Sequence, residues 1–175
     1  MRGKPRCMEE KQNAIEAVIS WLEQYRENEE EIDGQLERLE RLESRMQGIS
    51  AQVLTGMPRS PSASTDRMAD MLSQKEDLEQ TINDAVLLQK TERVKIEAVL
   101  KRSCKPEEKS VIRMRYIDKS EWKDVMYMLY GGKQDFLDRE DSYERRMYRK
   151  RDSALQKMAR YLEETGQLNT VIPAI

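Results

Sequence analysis

The stretch that decides the fold is the C-terminal third of the chain. It reads KPEEKSVIRMRYIDKSEWKDVMYMLYGG over residues 105–132 and DSYERRMYRKRDSALQKMARYLEE over residues 141–164. Pro106 with two glutamates behind it predicts a helix start, because proline fits the first helical position and acidic side chains favour the positive end of the helix dipole. A short apolar helix through Tyr116, a tight turn, a second short helix, a break and a basic third helix then follow. This order is typical of a helix-turn-helix.

Local signals predict where these helices begin and end. Ser120 is a candidate N-cap for the second short helix, and the glycines at 131–132 predict its end in a left-handed conformation. Asp141 with Glu144 three residues later matches a capping box at the start of the basic helix. That helix should continue to about residue 164, where Gly166 ends it. The polar insert between residues 132 and 142 fits a wing, a short helix or disorder equally well.

Helical spacing of the apolar residues predicts the core of this region. We expect the two short helices to turn a set of apolar side chains inward: Val111, Ile112, Tyr116, Trp122, Val125, Met126 and Leu129. We expect the basic helix to bury a matching stripe against them: Met147, Ala154, Leu155, Met158 and Leu162.

The opposite face of the basic helix is a candidate DNA-contacting surface. Arginine suits this role because its planar fork can contact both guanine acceptors in the major groove or clamp a phosphate. The candidate DNA-binding residues are Tyr143, Arg145, Arg146, Arg149 and Lys150 on this helix, with Lys123 and Lys133 as phosphate contacts from neighbouring elements. A basic run alone more often marks a solvated helix face. The preceding helix-turn-helix spacing favours the DNA-binding interpretation.

Upstream of residue 103 the sequence predicts two long helices. The first runs from about residue 9 to 53 and the second from about 66 to 102, each with apolar residues in a heptad-like stripe. A Pro/Ser-rich loop at 55–65 separates them, so they should fold back as a helical hairpin or coiled coil over residues 9–102. Residues 1–8 are predicted to be disordered, residues 103–165 to form the helix-turn-helix domain, and residues 166–175 to form a tail.

Composition narrows the functional classes. The 175 residues are 37% charged and 38% hydrophobic with a formal net charge of −2, so a nucleic-acid surface must be local. There is no histidine, so the usual zinc ligands and a histidine-based catalytic triad are missing; we predict no enzyme activity, no metal and no cofactor. Cys7 and Cys104 are expected to be reduced thiols. No apolar run approaches the roughly 20 residues of a membrane span, and no signal peptide is evident, so we expect a cytoplasmic protein.

Two motifs carry a resemblance to a known family. The segment from Ile112 to Met126 resembles the "RYIDGxSWEEIA" signature of sigma-70 region 4-like domains. The chain is similar in particular to the DUF1492 family of phage and prophage proteins, which are related to ArpU-type late transcriptional regulators. Residues 147–158 are similar to that family's "VYRIHGRALKKL", and residues 51–60 and 66–70 also resemble it. The turn before the basic helix is longer here, and Arg151 and Asp152 replace the family's histidine and glycine.

The resemblance implies an all-α phage or prophage transcriptional regulator that binds double-stranded DNA. It also implies that Trp122 and Val125 belong to the core of the positioning helix, and that the basic helix faces DNA. The helical hairpin would form a homodimer or contact a protein such as host RNA polymerase. Two alternatives remain open: a small terminase-like DNA-packaging subunit, and a coiled-coil adaptor whose basic face binds an acidic protein.

Overall fold

The computed structural model describes the backbone of residues 5–53 and 61–171, and the side-chain surroundings of residues 11–48 and 67–170. Over these residues the fold is all-α, as predicted, with no strand. The α-helices are α1 (Pro5–Val53), α2 (Pro61–Ser103), α3 (Pro106–Ile112), α4 (Trp122–Tyr130), α5 (Glu140–Glu164) and α6 (Leu168–Val171). A π-helical turn (Arg113–Ile117) follows α3, and a 3-10 turn (Leu137–Arg139) precedes α5.

Contacts divide the chain into two compact units. One comprises residues 28–91, and the other comprises residues 1–27 together with 92–175. In the first unit, Ile32, Ile82 and Gln89 are buried, and the ammonium of Lys75 on α2 lies 2.7 Å from the carboxylate of Glu43 on α1. The exposed leucines Leu36, Leu72, Leu87 and Leu88 belong to the same unit.

The larger core of the second unit joins the beginning of α1 and the end of α2 to α5. Trp21 contributes to this core, and its indole N–H donates a hydrogen bond of 3.0 Å to Glu92. The most enclosed members come from α1, α2, α3 and α5: Val18, Leu22, Ile96, Leu100, Ile112, Ala154, Met158 and Leu162. Helix α5 is therefore held along its C-terminal half by long-range packing.

A smaller core of the same unit holds α3, α4 and the first half of α5 together. Its buried members are Val111, Val125, Met126, Tyr130, Phe136 and Met147, with Trp122, Leu129 and Tyr143 packed at its edge. The predicted inward-facing residues Val111, Ile112, Tyr116, Val125 and Met126 are buried as expected. Trp122 and Leu129 are only half-buried.

The long helices begin earlier than the sequence indicated. Helix α1 begins at Pro5 and α2 at Pro61, where residue 9 and residue 66 were expected, so part of the predicted loop at 55–65 is helical. Both helices begin with proline, which loses no helical hydrogen bond in the first turn and has a dihedral angle already suited to the helix. The rest of that predicted loop, residues 54–60, lies outside the described residues, as do residues 1–4 of the predicted disordered N-terminus.

Several predicted caps were wrong. The N-cap of α4 is Glu121 rather than Ser120, and it makes no side-chain capping hydrogen bond. Helix α4 ends at the glycines as predicted, but Gly131 has a right-handed φ of −58°, because α4 passes through a turn into the 3-10 segment. Helix α5 begins at Glu140, which places Asp141 and Glu144 inside the helix instead of at a capping box.

The predicted end of α5 is confirmed, whereas the predicted tail after it is partly helical. Gly166 follows α5 with φ +66°, as expected for a glycine that terminates a helix. Residues 168–171 of the predicted tail form α6, and Leu168 packs against the larger core, which explains why this segment is helical. Residues 172–175 lie outside the described residues.

Candidate nucleic-acid interface

Helix α5 has one buried face and one basic face. The predicted apolar stripe is buried in full: Met147, Ala154, Leu155, Met158 and Leu162 are each at most 3% exposed. Arg145, Arg146 and Arg149 are exposed on the other side. Residues three and four apart share one side of a helix, so this separation follows directly from the sequence spacing.

In the described part of the chain the exposed arginines make no direct ion pair, although the pKa of Glu107 is lowered by Lys150 and, less strongly, by Arg146. Among the described residues, no carboxylate oxygen lies within 4.0 Å of the guanidinium nitrogens of Arg145, Arg146 or Arg149. The Nε of Arg145 donates to the carbonyl of Asp141 at 3.2 Å, and the Nε of Arg149 donates to the carbonyl of Arg145 at 3.4 Å. These bonds run along the helix and use the Nε atoms, so the terminal guanidinium nitrogens of these exposed residues make no contact with a described carboxylate.

Four of the predicted residues line one cleft of about 520 Å³. Tyr143, Arg146, Arg149 and Lys150 lie in its wall together with four residues that the sequence analysis did not select: Glu108, Arg139, Ser142 and Ser153. Cationic side chains from several turns of α5 therefore line one concave surface. Such a surface suits an anion with several oxygen acceptors.

A second concavity of about 330 Å³ is lined in part by the insert between α4 and α5. It brings Lys133 together with Arg146 and Lys150, and Tyr130 and Ser110 also line it. Lys133 thus lies in the same basic region as these two residues, and its contact with a phosphate stays a prediction. Lys123 is exposed on α4 and Arg145 on α5, and neither lines these two concavities.

Lys150 is positioned by an aromatic ring and a carboxylate. Its ammonium lies 5.2 Å from the centre of the Tyr130 ring and 2.7 Å from a carboxylate oxygen of Glu107. Partial burial is the largest single effect on the pKa of Lys150 and acts to lower it, but the interactions with Glu107 and Tyr130 together outweigh it, and the pKa is raised. Arg146 also lies over Tyr130, at 5.9 Å. Cation–π contacts of this kind fix the directions of both cations.

Tyr143 faces the insert. Its hydroxyl donates to Asp135 at 2.7 Å, which raises the pKa of Tyr143 and lowers the pKa of Asp135. Its ring stacks on Tyr130 at 5.0 Å and lies 5.9 Å from Phe136, a buried residue of the predicted polar insert. The hydroxyl proton of Tyr143 is therefore used in a hydrogen bond within the protein, and Tyr143 holds the insert against α5.

A second cation–aromatic group lies beside Trp122. The guanidinium of Arg115 is 5.2 Å and that of Arg151 is 5.6 Å from the Trp122 ring, and Arg151 is also 4.8 Å from the Tyr148 ring. Arg115 pairs with Glu121 at 3.1 Å and Arg151 with Asp152 at 2.7 Å. This group joins the π-helical turn and α4 to α5, and nothing in the local sequence spacing signals it.

A buried carboxylate fixes α3 on α5. Glu108 is 7% exposed and accepts hydrogen bonds from the Lys105 backbone N–H at 2.8 Å, the Ser153 hydroxyl at 2.8 Å and the Lys157 ammonium at 2.5 Å. Burial acts to raise its pKa, but these hydrogen bonds together lower it. The sequence placed Glu108 in the first turn of this helix but did not indicate its bond to Lys105. The partners 45 and 49 residues away had no sequence signal.

The described part of the chain contains neither a metal-binding cluster nor a membrane-spanning helix. There, no cluster of three or more histidine, cysteine, aspartate or glutamate side chains is arranged to hold a metal ion. No described helix is long and apolar enough to cross a membrane. Cys104 is a free, buried thiol whose pKa is raised by burial, while the side chain of Cys7 lies outside the described surroundings.

Comparisons of the chain with protein family models, with curated proteins and with solved structures found no match.

Proposed function

We propose that this protein is a sequence-specific DNA-binding transcriptional regulator of a phage or prophage, and that α5 enters the major groove. The observation that carries the proposal is the set of three exposed arginines, Arg145, Arg146 and Arg149, on a helix whose opposite face is buried. An exposed helix with arginines in its first turns can contact base edges and phosphates together. The phage assignment rests on the sequence resemblance alone.

Helices α3 and α4 act in this proposal as the support of the reading helix. The small core around Val125 and Met147 would fix the angle of α5, and the buried Glu108 would fix its position along its axis. We propose that these helices act as a helix-turn-helix with a long connection between its last two helices. The connection is ordered by Phe136 and Tyr143, which supports its use as a rigid part of the interface.

Phosphate contacts would come from both concavities. Lys133 and Lys150 line them beside the arginines of α5 and come from two parts of the chain. Backbone contacts fix the register of a protein on the duplex, while base contacts supply specificity. Lys123 would add a phosphate contact from α4.

The two long helices are proposed to fold back as a hairpin that dimerises or binds host RNA polymerase. The contact between Lys75 and Glu43 and the hydrogen bond between Trp21 and Glu92 support side-by-side packing of α1 and α2 within each unit. Residues 28–91 carry 13 acidic and 7 basic residues, a formal charge of −6. This charge disfavours DNA contact by that unit and favours a role in protein contacts.

The proposal is tested by binding to fragments of the DNA that flanks the protein's own gene, with excess unrelated competitor DNA. A shifted complex that survives competitor on one fragment supports a sequence-specific regulator. A particle mass that corresponds to a ring of many copies would instead favour the terminase-like packaging subunit. Indifference to every fragment, combined with binding to an acidic protein, would favour the adaptor.

A further inference from the structure

Lys150 differs from the other cations proposed to contact DNA. Within the described part of the chain, it is the one member of that group whose charge is paired with a carboxylate, that of Glu107 at 2.7 Å. Both concavities of the basic region include Lys150 in their walls. The lysine at the centre of the proposed phosphate-binding surface is therefore already bound to a carboxylate.

The side chains of Lys150 and Glu107 differ strongly in their exposure to solvent. The side chain of Lys150 is 17% exposed, and its ammonium lies over the Tyr130 ring. The side chain of Glu107 is 68% exposed, in the first turn of α3. A pair with one exposed partner contributes little to stability, since water and salt screen the attraction. Glu107 can thus turn into solvent while Lys150 stays in place.

We infer that the Glu107 carboxylate binds the Lys150 ammonium in the free protein, at the position that a DNA phosphate takes in the complex. When DNA binds, the phosphate displaces the Glu107 carboxylate. The inference rests on the proposed function, since it assigns a regulatory contact to the same surface. Carboxylate and phosphate oxygens both accept charge-assisted hydrogen bonds from an ammonium, so one can replace the other. A phosphate at Lys150 would also be repelled by an unmoved Glu107 carboxylate.

Displacement has a defined consequence for affinity. A phosphate that binds Lys150 must overcome the attraction of Glu107 for the same ammonium, so the pair weakens DNA binding of every sequence alike. Removal of the Glu107 charge should strengthen binding about three- to fivefold, the effect of one exposed charge pair. The advantage of the variant should be largest at low salt, because salt screens the attraction between Glu107 and Lys150 in the wild type. The decrease of log affinity with log salt should therefore be somewhat steeper for the variant.

The experiment compares Glu107→Gln with Glu164→Gln in the full-length chain. Both substitutions remove one exposed negative charge, but Glu164 is at the C-terminal end of α5, away from both concavities. Lys150→Gln and the double variant Glu107→Gln/Lys150→Gln complete a cycle that isolates the interaction between the two residues. Binding of one duplex is measured over a salt series, and thermal unfolding shows whether each variant is folded.

The inference predicts tighter binding and a steeper salt slope for E107Q than for E164Q, and disappearance of that difference when Lys150 is absent. Equal effects of E107Q and E164Q, or weaker binding by E107Q, would overturn it while leaving DNA binding by the wild-type protein intact. Failure of the wild-type protein to bind any duplex would overturn the proposed function, and this inference with it.

Discussion

The hydroxyl of Tyr143, in the first turn of α5, donates a 2.7 Å hydrogen bond to the carboxylate of Asp135 in the preceding connection. The bond attaches the nine-residue segment between α4 and α5 to the beginning of α5. The ring of the same tyrosine packs on Tyr130 and Phe136. The angle at which α5 leaves this connection is thus fixed by side chains, although the connection is long.

Tyr143→Phe should weaken the attachment of this segment to α5, because it removes the hydrogen bond to Asp135 and keeps the ring packing. We expect a lower midpoint of urea unfolding and a decrease in DNA affinity of less than about tenfold, since one hydrogen bond is removed and the cations remain. Tyr127→Phe is the matched control, because Tyr127 is 67% exposed on α4. Identical unfolding midpoints for the two variants would contradict a structural role for the bond to Asp135.

Lys119 should be a source of strain. Its φ is +56°, in the left-handed region that residues with a Cβ adopt at a cost of roughly 1–2 kcal/mol. The family signature that this segment resembles has glycine at the same place. Lys119→Gly should therefore be more stable than Lys119→Ala by about 1 kcal/mol in chemical denaturation. The alanine variant controls for the lysine side chain, and an alanine variant as stable as the glycine variant would exclude backbone strain.

Glu108→Gln should destabilise the fold by about 2–3 kcal/mol at neutral pH, because it leaves the partly buried Lys157 without its charged partner. The folded-state pKa of Glu108 is lowered, so its ionised form contributes stability above the ordinary glutamate pKa of about 4.3. That contribution is lost as the pH falls through the lowered folded-state pKa.

The difference in stability between wild type and Glu108→Gln should accordingly be full near pH 7 and shrink below about pH 4. Urea denaturation at a series of pH values measures it. Glu163→Gln, a change at an exposed position of the same region, controls for net charge. A difference that does not vary with pH would show that the Glu108 carboxylate is not the stabilising species.

Local rules predicted the features that depend on neighbouring residues. Proline at position 106 and glycine at position 166 marked a helix start and a helix end, and the spacing of Met147 to Leu162 identified the buried face of α5. The same spacing placed the arginines on the exposed face. Their relation to DNA stays a prediction.

Features that depend on distant residues could not be predicted from the sequence. The partners of Glu108 are 45 and 49 residues away, and Trp21 is 71 residues from Glu92. The π-helical turn at Arg113–Ile117 buries Ile117 as well as Tyr116, and Ile117 was not among the predicted core residues. The pairing of Lys150 with Glu107 and the aromatic packing of the insert likewise arise only when α3, α4 and α5 come together.

The central claim is that the exposed arginines of α5 contact DNA. Its most direct test is the salt dependence of duplex binding by the wild-type protein and by the triple variant Arg145→Gln/Arg146→Gln/Arg149→Gln. The charge-matched control replaces three arginines of α1, in Arg38→Gln/Arg41→Gln/Arg45→Gln. We predict that the α5 variant binds far more weakly and that its salt slope falls by about 2.7, or about 0.9 for each phosphate that the protein no longer neutralises, while the α1 variant binds as the wild type does. Equal salt slopes for the wild type and the two variants would contradict the claim.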